Sequence, residues 1–152
     1  NIFDVAVVIM ILVLVVAGFT KFKTFNQAVD STSAGKITYT FVINDVRDYT
    51  AVAFQSGDSL FDTNTDINIG KIVNVEVKDA KIMKSLATGK TVFADNPYKK
   101  DIILTVETPG SVTNDAYYAN KSVELKVDSE KKVETLYAMV MGKVGSITYS
   151  EE

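Results

Sequence analysis

Apolar residues fall along this chain in two regimes. From Val5 to Phe19 the sequence VAVVIMILVLVVAGF runs fifteen residues without a charge. From Ile37 onward, apolar side chains recur at every second position. The first regime predicts a helix of roughly 22 Å at about 1.5 Å per residue. Ile2 and Phe3 on one side and Phe22 and Phe25 on the other extend it toward the roughly 20 residues of a spanning segment, with Lys21 and Lys23 able to snorkel. The second regime predicts strands. Ile37, Tyr39, Phe41 and Ile43 share one face of the first of them, over residues 37–43. Others are expected at 50–54, 72–77, 91–94, 101–108, 123–127, 133–141 and 144–149. Turn chemistry separates them at Gly57-Asp58, Asn96-Pro97, Pro109-Gly110, Asn114-Asp115 and Asp128-Ser129. One short helix is expected over Ala80–Thr88, closed by Gly89.

This pattern predicts an α+β, mostly β chain: a long N-terminal hydrophobic helix (1–25), a small and polar hinge (26–36) and an antiparallel β-sandwich or barrel-like head (37–152). Composition narrows the chemistry. The chain has no His, Cys or Trp. It therefore has no thiolate or imidazole nucleophile, no disulfide and no zinc site of the usual kind. A net charge of −3 without a long basic cluster argues against nucleic acid as a partner. No enzymatic activity is expected.

The layout of Asn1-Ile2-Phe3-Asp4 ahead of the apolar run, followed by a β head, resembles the type IV pilin-like class of proteins. That resemblance implies a processed N-terminus at Asn1. It also implies insertion in the cytoplasmic membrane before assembly, and then a homo-oligomeric helical filament at the cell surface. Ile2, Phe3, Val5, Val8, Ile11, Leu12, Val15 and Phe19 would supply helix packing and Asp4 a polar contact. Members of that class typically carry Glu at the fifth position, where this chain has Val5, and Asp4 by itself also suits a helix N-terminus. Lys21 and Lys23 after the run place the head in the cytoplasm by the positive-inside rule, unless a basic leader was removed before Asn1.

The head also resembles a family of uncharacterised prokaryotic membrane proteins with one N-terminal transmembrane segment and a domain of unknown function. The resemblance is carried by Ile2-Phe3-Asp4 before the apolar run, Gly57-Asp58-Ser59-Leu60-Phe61-Asp62, Ile69-Gly70-Lys71-Ile72-Val73-Asn74-Val75, Leu104-Thr105-Val106-Glu107 and Gly142-Lys143-Val144-Gly145-Ser146-Ile147. The Gly-Asp step followed by Ile-Gly-Lys-Ile is similar to lipid-shuttling domains that carry a β-barrel head.

Two segments suggest further chemistry. Asp62, Asn64, Asp66 and Asn68 alternate as oxygen ligands do in a calcium loop, although Ile67 and Val73 stand where such a loop has its Gly and its bidentate Glu. The other reading is a solvated turn. Asn120-Lys121-Ser122 is an N-glycosylation sequon. Tyr117-Tyr118 suits either an interface or a β core. Glu107, Glu124 and Glu134 fall on solvated strand faces, and no Gly-Lys step completes a phosphate loop. The leading expectation is a structural subunit of an extracellular pilus-like filament. The alternative is a single-pass, membrane-anchored extracytoplasmic β domain for binding or scaffolding, with a lipid-related role in view.

Overall fold

The computed structural model describes residues 34–151. The chain divides into Asn1–Thr32 and Ser33–Glu152, and the fold below is that of the second unit. Its strands are β1 (Ala34–Val46), β2 (Ser59–Asp62), β3 (Ile67–Ser85), β4 (Thr91–Val112), β5 (Tyr117–Ala119), β6 (Val123–Leu125), β7 (Glu130–Glu134) and β8 (Met139–Glu151). A four-residue helix, α1 (Asp48–Ala51), follows β1.

One strand closes the architecture. β1 pairs with β4 along one edge and with β8 along the other. From β8 the ladder continues through β7, β2 and β3 back to β4. Six strands thus form a closed barrel in which every pairing is antiparallel. Closure satisfies backbone donors and acceptors that an open sheet would leave on two raw edges. β5 and β6 add a short meander on Gly110–Val112 of β4.

The alternation read from the sequence packs the barrel. Ile37, Tyr39, Phe41 and Ile43 of β1 are fully buried, facing Ile102, Leu104 and Val106 of β4 and Leu60, Ile69, Ile72, Val133 and Val144 from the remaining strands. Side chains fill the interior of so small a barrel. The β1 face predicted from period-two alternation is the core face.

Tyr39 brings one polar group into this interior, and its hydroxyl donates to the Ile69 carbonyl at 3.1 Å. Burial, reinforced by the nearby Asp62 charge, pushes its phenol far above the ordinary tyrosine value of 10.0. The folded-state pKa is raised, so its contribution to stability is complete below pH 10. Above pH 10 the unfolded chain ionises this phenol while the folded chain holds it neutral, and stability falls as pH rises. The slope from this one group is about 1.4 kcal/mol per pH unit. Urea midpoints measured from pH 9 to 12 should therefore fall more steeply for the parent chain than for Tyr39→Phe. Equal slopes would show that the phenol is not held neutral.

Several expectations are corrected by this fold. The described residues are antiparallel β and not α+β. Their only helix is α1, and none of their helices is long and apolar enough to cross a membrane. The hydrophobic helix expected over 1–25 falls outside the described residues. So do its packing residues Ile2, Phe3, Asp4, Val5, Val8, Ile11, Leu12, Val15 and Phe19, and most of the hinge. The sandwich gives way to a barrel, because β1 bonds both neighbours and leaves one closed sheet. Ala80–Thr88, expected as a helix, is β3 as far as Ser85, because β4 offers it a pairing partner from Thr91 to Asn96. Residues 50–54, expected as a strand, hold the end of α1 and the loop after it. The strand expected over 133–141 is broken by a turn between β7 and β8. Asn96-Pro97, expected as a turn, is a bulge within β4: Asp79 opposes Lys100 while Ala80 opposes Asn96, so Pro97, Tyr98 and Lys99 are unopposed. Proline lacks the donor that a ladder position requires, which suits it to this place.

Candidate binding surface at the distal end of the barrel

The registers define two ends. β1, β3 and β7 run one way and β2, β4 and β8 the other. We call the end where β1 begins proximal and the end where β1 finishes distal. Three turns near the proximal end are Thr63-Asn64-Thr65-Asp66, Thr113-Asn114-Asp115 and Asn120-Lys121-Ser122. None of these three exposes an apolar side chain, whereas the connection from β6 to β7 exposes Val127.

The distal connections have the opposite character. Beyond the barrel, β3 and β4 continue as a two-stranded arm in which Ala80–Ser85 pairs with Asn96–Thr91. At its tip the Leu86 N–H donates to the Lys90 carbonyl at 2.8 Å and the Gly89 N–H to the Leu86 carbonyl at 2.9 Å. Gly89 takes a φ of +78°, which suits glycine at this turn. Met83 and Phe93 are cross-strand partners, 68% and 72% exposed. In the β7–β8 turn Leu136 is 87% exposed, with Tyr137 and Met139 exposed beside it. Tyr49 and Val52 protrude from the α1 segment and Tyr98 from the bulge. Among the described residues, fourteen large apolar side chains are exposed, and all but Val73 and Val127 lie in this distal half. Isolated exposed apolar residues need no explanation, but their segregation to one end makes that end the candidate binding surface.

Between α1 and the wall is a recess of about 470 Å³, lined by Ala51, Val52, Phe54, Val75 and Val77 with Asp48 and Lys100 at the rim. An apolar floor with few polar groups is the usual character of a ligand cleft. Its rim is fixed by charge: Lys100 pairs with Asp79 and reaches Asp48 at 3.8 Å. The neighbouring Lys99 ammonium donates to the Asp45 carbonyl at 2.6 Å and its carboxylate at 2.9 Å. These bonds tie the root of the arm to the end of β1. The sequence reading puts Met83 in a helix and Phe93 in a strand; the pairing of β3 with β4 brings them side by side.

The residues singled out as a calcium loop have other tasks. Asp62 is 3% exposed at its side chain, and one carboxylate oxygen accepts the N–H groups of Asn64 and Thr65 at 2.9 and 3.3 Å. The other oxygen accepts the Lys131 ammonium at 3.3 Å. A lysine therefore occupies the cation position. Asn68 turns inward on its own strand to accept the Gly70 N–H at 2.8 Å, and Asn64 and Asp66 are exposed, Asp66 at a φ of +56°. Among the described residues no group of three or more acidic side chains could hold a metal ion. Asn120 of the sequon is exposed in the β5–β6 turn, and its own N–H donates to the Pro109 carbonyl at 2.8 Å. Tyr117 packs partly against the core. Glu107 pairs with Lys36 at 2.5 Å and Glu124 with Lys126 at 2.8 Å, so these carboxylates are separated in surface ion pairs.

Comparison with known proteins returned one family. Residues 1–148 match the model described as Domain of unknown function (DUF4330). No curated protein and no solved structure matches the chain. The match covers both the apolar N-terminal sequence and the barrel strands into β8, and it is not to a pilin family. Nothing in it supports a pilus, a filament or a helical assembly, and the pilin resemblance is corrected accordingly. The uncharacterised-family resemblance is the one that holds: the chain belongs to the DUF4330 family of domains of unknown function.

Proposed function

We propose that this chain is a binding or scaffolding domain. Its barrel presents the distal end to a ligand, and its apolar sequence at residues 5–19 keeps it at a membrane, with the barrel on the outer side. The observation that carries this reading is the segregation of exposed apolar side chains to the distal end, opposite three turns with none. An exposed sequon at Asn120 suits an outer-face location. No catalytic role is proposed, since the described carboxylates are dispersed or taken up by lysines.

Site-directed photocrosslinking in native membranes tests the polarity. Photoreactive residues would replace Phe93, Tyr137 and Val52 at the distal end, and Asn64 and Asn114 at the proximal end, in the full chain. Discrete adducts from the distal positions, with none from the proximal ones, are expected. Equal labelling from both ends would sink the reading. Adducts made only of several copies of this chain would identify self-assembly in its place.

A further inference from the structure

The arm narrows what meets the distal end. From Ala80 to Ala94 the chain carries Lys81, Lys84 and Lys90 and no acidic residue, within a protein whose net charge is −3. Lys81 pairs with Asp95 at the base of the arm, whereas Lys84 and Lys90 have no ion-pair partner among the described residues. Apolar side chains stand on both faces. Directly opposed residues share a face in an antiparallel pair, so Met83 and Phe93 lie on one side, and Ile82 with Ala94 and Lys84 with Val92 on the other. Leu86 crowns the turn and is also exposed. A ribbon that docks into a protein groove hides one apolar face and keeps the other polar. A ribbon apolar on both faces, with free cations at its tip, matches a medium that surrounds it.

We propose that the tip of the arm enters the interfacial layer of an anionic lipid bilayer. Leu86, Met83 and Phe93 would sit at the boundary between headgroups and acyl chains, with Lys84 and Lys90 on lipid phosphates. The exposed Tyr49, Tyr98 and Tyr137 around it are of the residue type that settles at headgroup level. Depth is limited by the backbone. Both outer edges of the ribbon are unpaired beyond the barrel, and open edges are not tolerated in the hydrocarbon region, where nothing satisfies them. The tip therefore goes no deeper than hydrated headgroups allow. This inference rests on the reading of the distal end as the binding face.

The chain has no tryptophan, so Phe93→Trp introduces a single reporter at an exposed site. The full-length variant would be reconstituted with vesicles of phosphatidylcholine alone or with 30% phosphatidylglycerol, and with brominated acyl chains for quenching. A blue shift and bromolipid quenching that require the anionic lipid are expected. Lys84→Gln with Lys90→Gln in that variant should reduce the inserted population roughly 30-fold, at about fivefold for each cation near an anionic surface. Leu86→Trp should respond in the same way. Indole emission of the Phe93→Trp variant that anionic vesicles leave unchanged would overturn the lipid proposal. A shift that depends on protein concentration and not on lipid would overturn it too, and would identify a second copy. Photocrosslinks from position 93 to protein, with no lipid quenching, would retain the binding face and reject the membrane. Loss of both would reject the two together.

Discussion

Gly70→Val is expected to leave the barrel largely unfolded at 37 °C. Gly70 lies in β3 opposite Leu60, next to the register shift between Leu60 and Phe61. Its φ is +143°, a backbone conformation that L side chains rarely adopt. A Cβ built there would sit 2.6 Å from both the Glu107 carbonyl oxygen and Val106 Cγ1. The first neighbour is backbone of the adjacent strand and the second is a core side chain, so neither can move without opening the wall. Backbone strain of about 1–3 kcal/mol and overpacking of about 1–3 kcal/mol act on the same residue. A loss of about 4 kcal/mol is a large share of the roughly 5–15 kcal/mol that holds a domain folded. Chemical denaturation followed by far-ultraviolet circular dichroism would measure it. A loss under about 1 kcal/mol would mean that this wall is looser than its geometry implies. Gly89→Ala is the contrast: nothing lies within 4 Å of the added Cβ, so only the strain of its positive φ remains, with a smaller effect.

Lys131→Met is the second large effect, at about 3 kcal/mol of destabilisation. The Lys131 side chain is 16% exposed and that of Asp62 3%. Removing the ammonium leaves a carboxylate that is out of water and held only by two backbone N–H groups. Asp62→Asn in the same chain removes the charge while its amide oxygen still accepts those N–H groups, so the double variant should recover most of the loss. The double-mutant cycle separates an ion pair from simple packing of the lysine stem. If Asp62→Asn gives no recovery, the buried charge is not the cause. Calcium should leave the parent chain's midpoint unchanged, because Lys131 already holds the position a cation would take.

The sequence carried much of the barrel wall. Ile37, Tyr39, Phe41 and Ile43 alternate in a strand buried on one face, and the same period marked residues 72–77 and 101–108. Errors arose where local preference and a distant partner disagree. Lys81 through Thr88 contains Lys, Met, Leu and Ala, all good helix formers, with a glycine where a helix cap belongs. It became a strand because Thr91–Asn96 lay across a short turn and could complete its ladder. β2 and β5, four and three residues long, are too short to show a period. Thr50–Phe54 alternates like a strand, yet the chain must leave the end of β1 there, and Ala51 and Phe54 reach the core from a helical turn and loop.

The site was less legible. Asp62, Asn64, Asp66 and Asn68 stood out as ligands because their spacing is visible in one dimension. Lys131, 69 positions further along, could not be assigned to Asp62 without the β2–β7 pairing. Met83, Leu86, Phe93, Tyr98 and Leu136 read as ordinary apolar residues, since nothing local says whether a side chain points to a core or to solvent. What the sequence determined by itself was the period, the main strand faces, the absence of thiol and imidazole chemistry, and an apolar N-terminal run set apart from a β domain. These follow from residue type and near-neighbour spacing. Only the tertiary structure decided that β1 would bond on both edges and close a barrel, and that β3 and β4 would outrun that barrel as an arm. It also decided that the exposed apolar side chains would gather at one end. Closure depends on pairings between residues far apart in the chain, such as Ile37 with Thr108 and with Tyr149. The arm depends on a hairpin that runs from the pair Ala80 and Asn96 to the pair Ser85 and Thr91. In both, the hydrogen bonds gained across the ladder outweigh local preference.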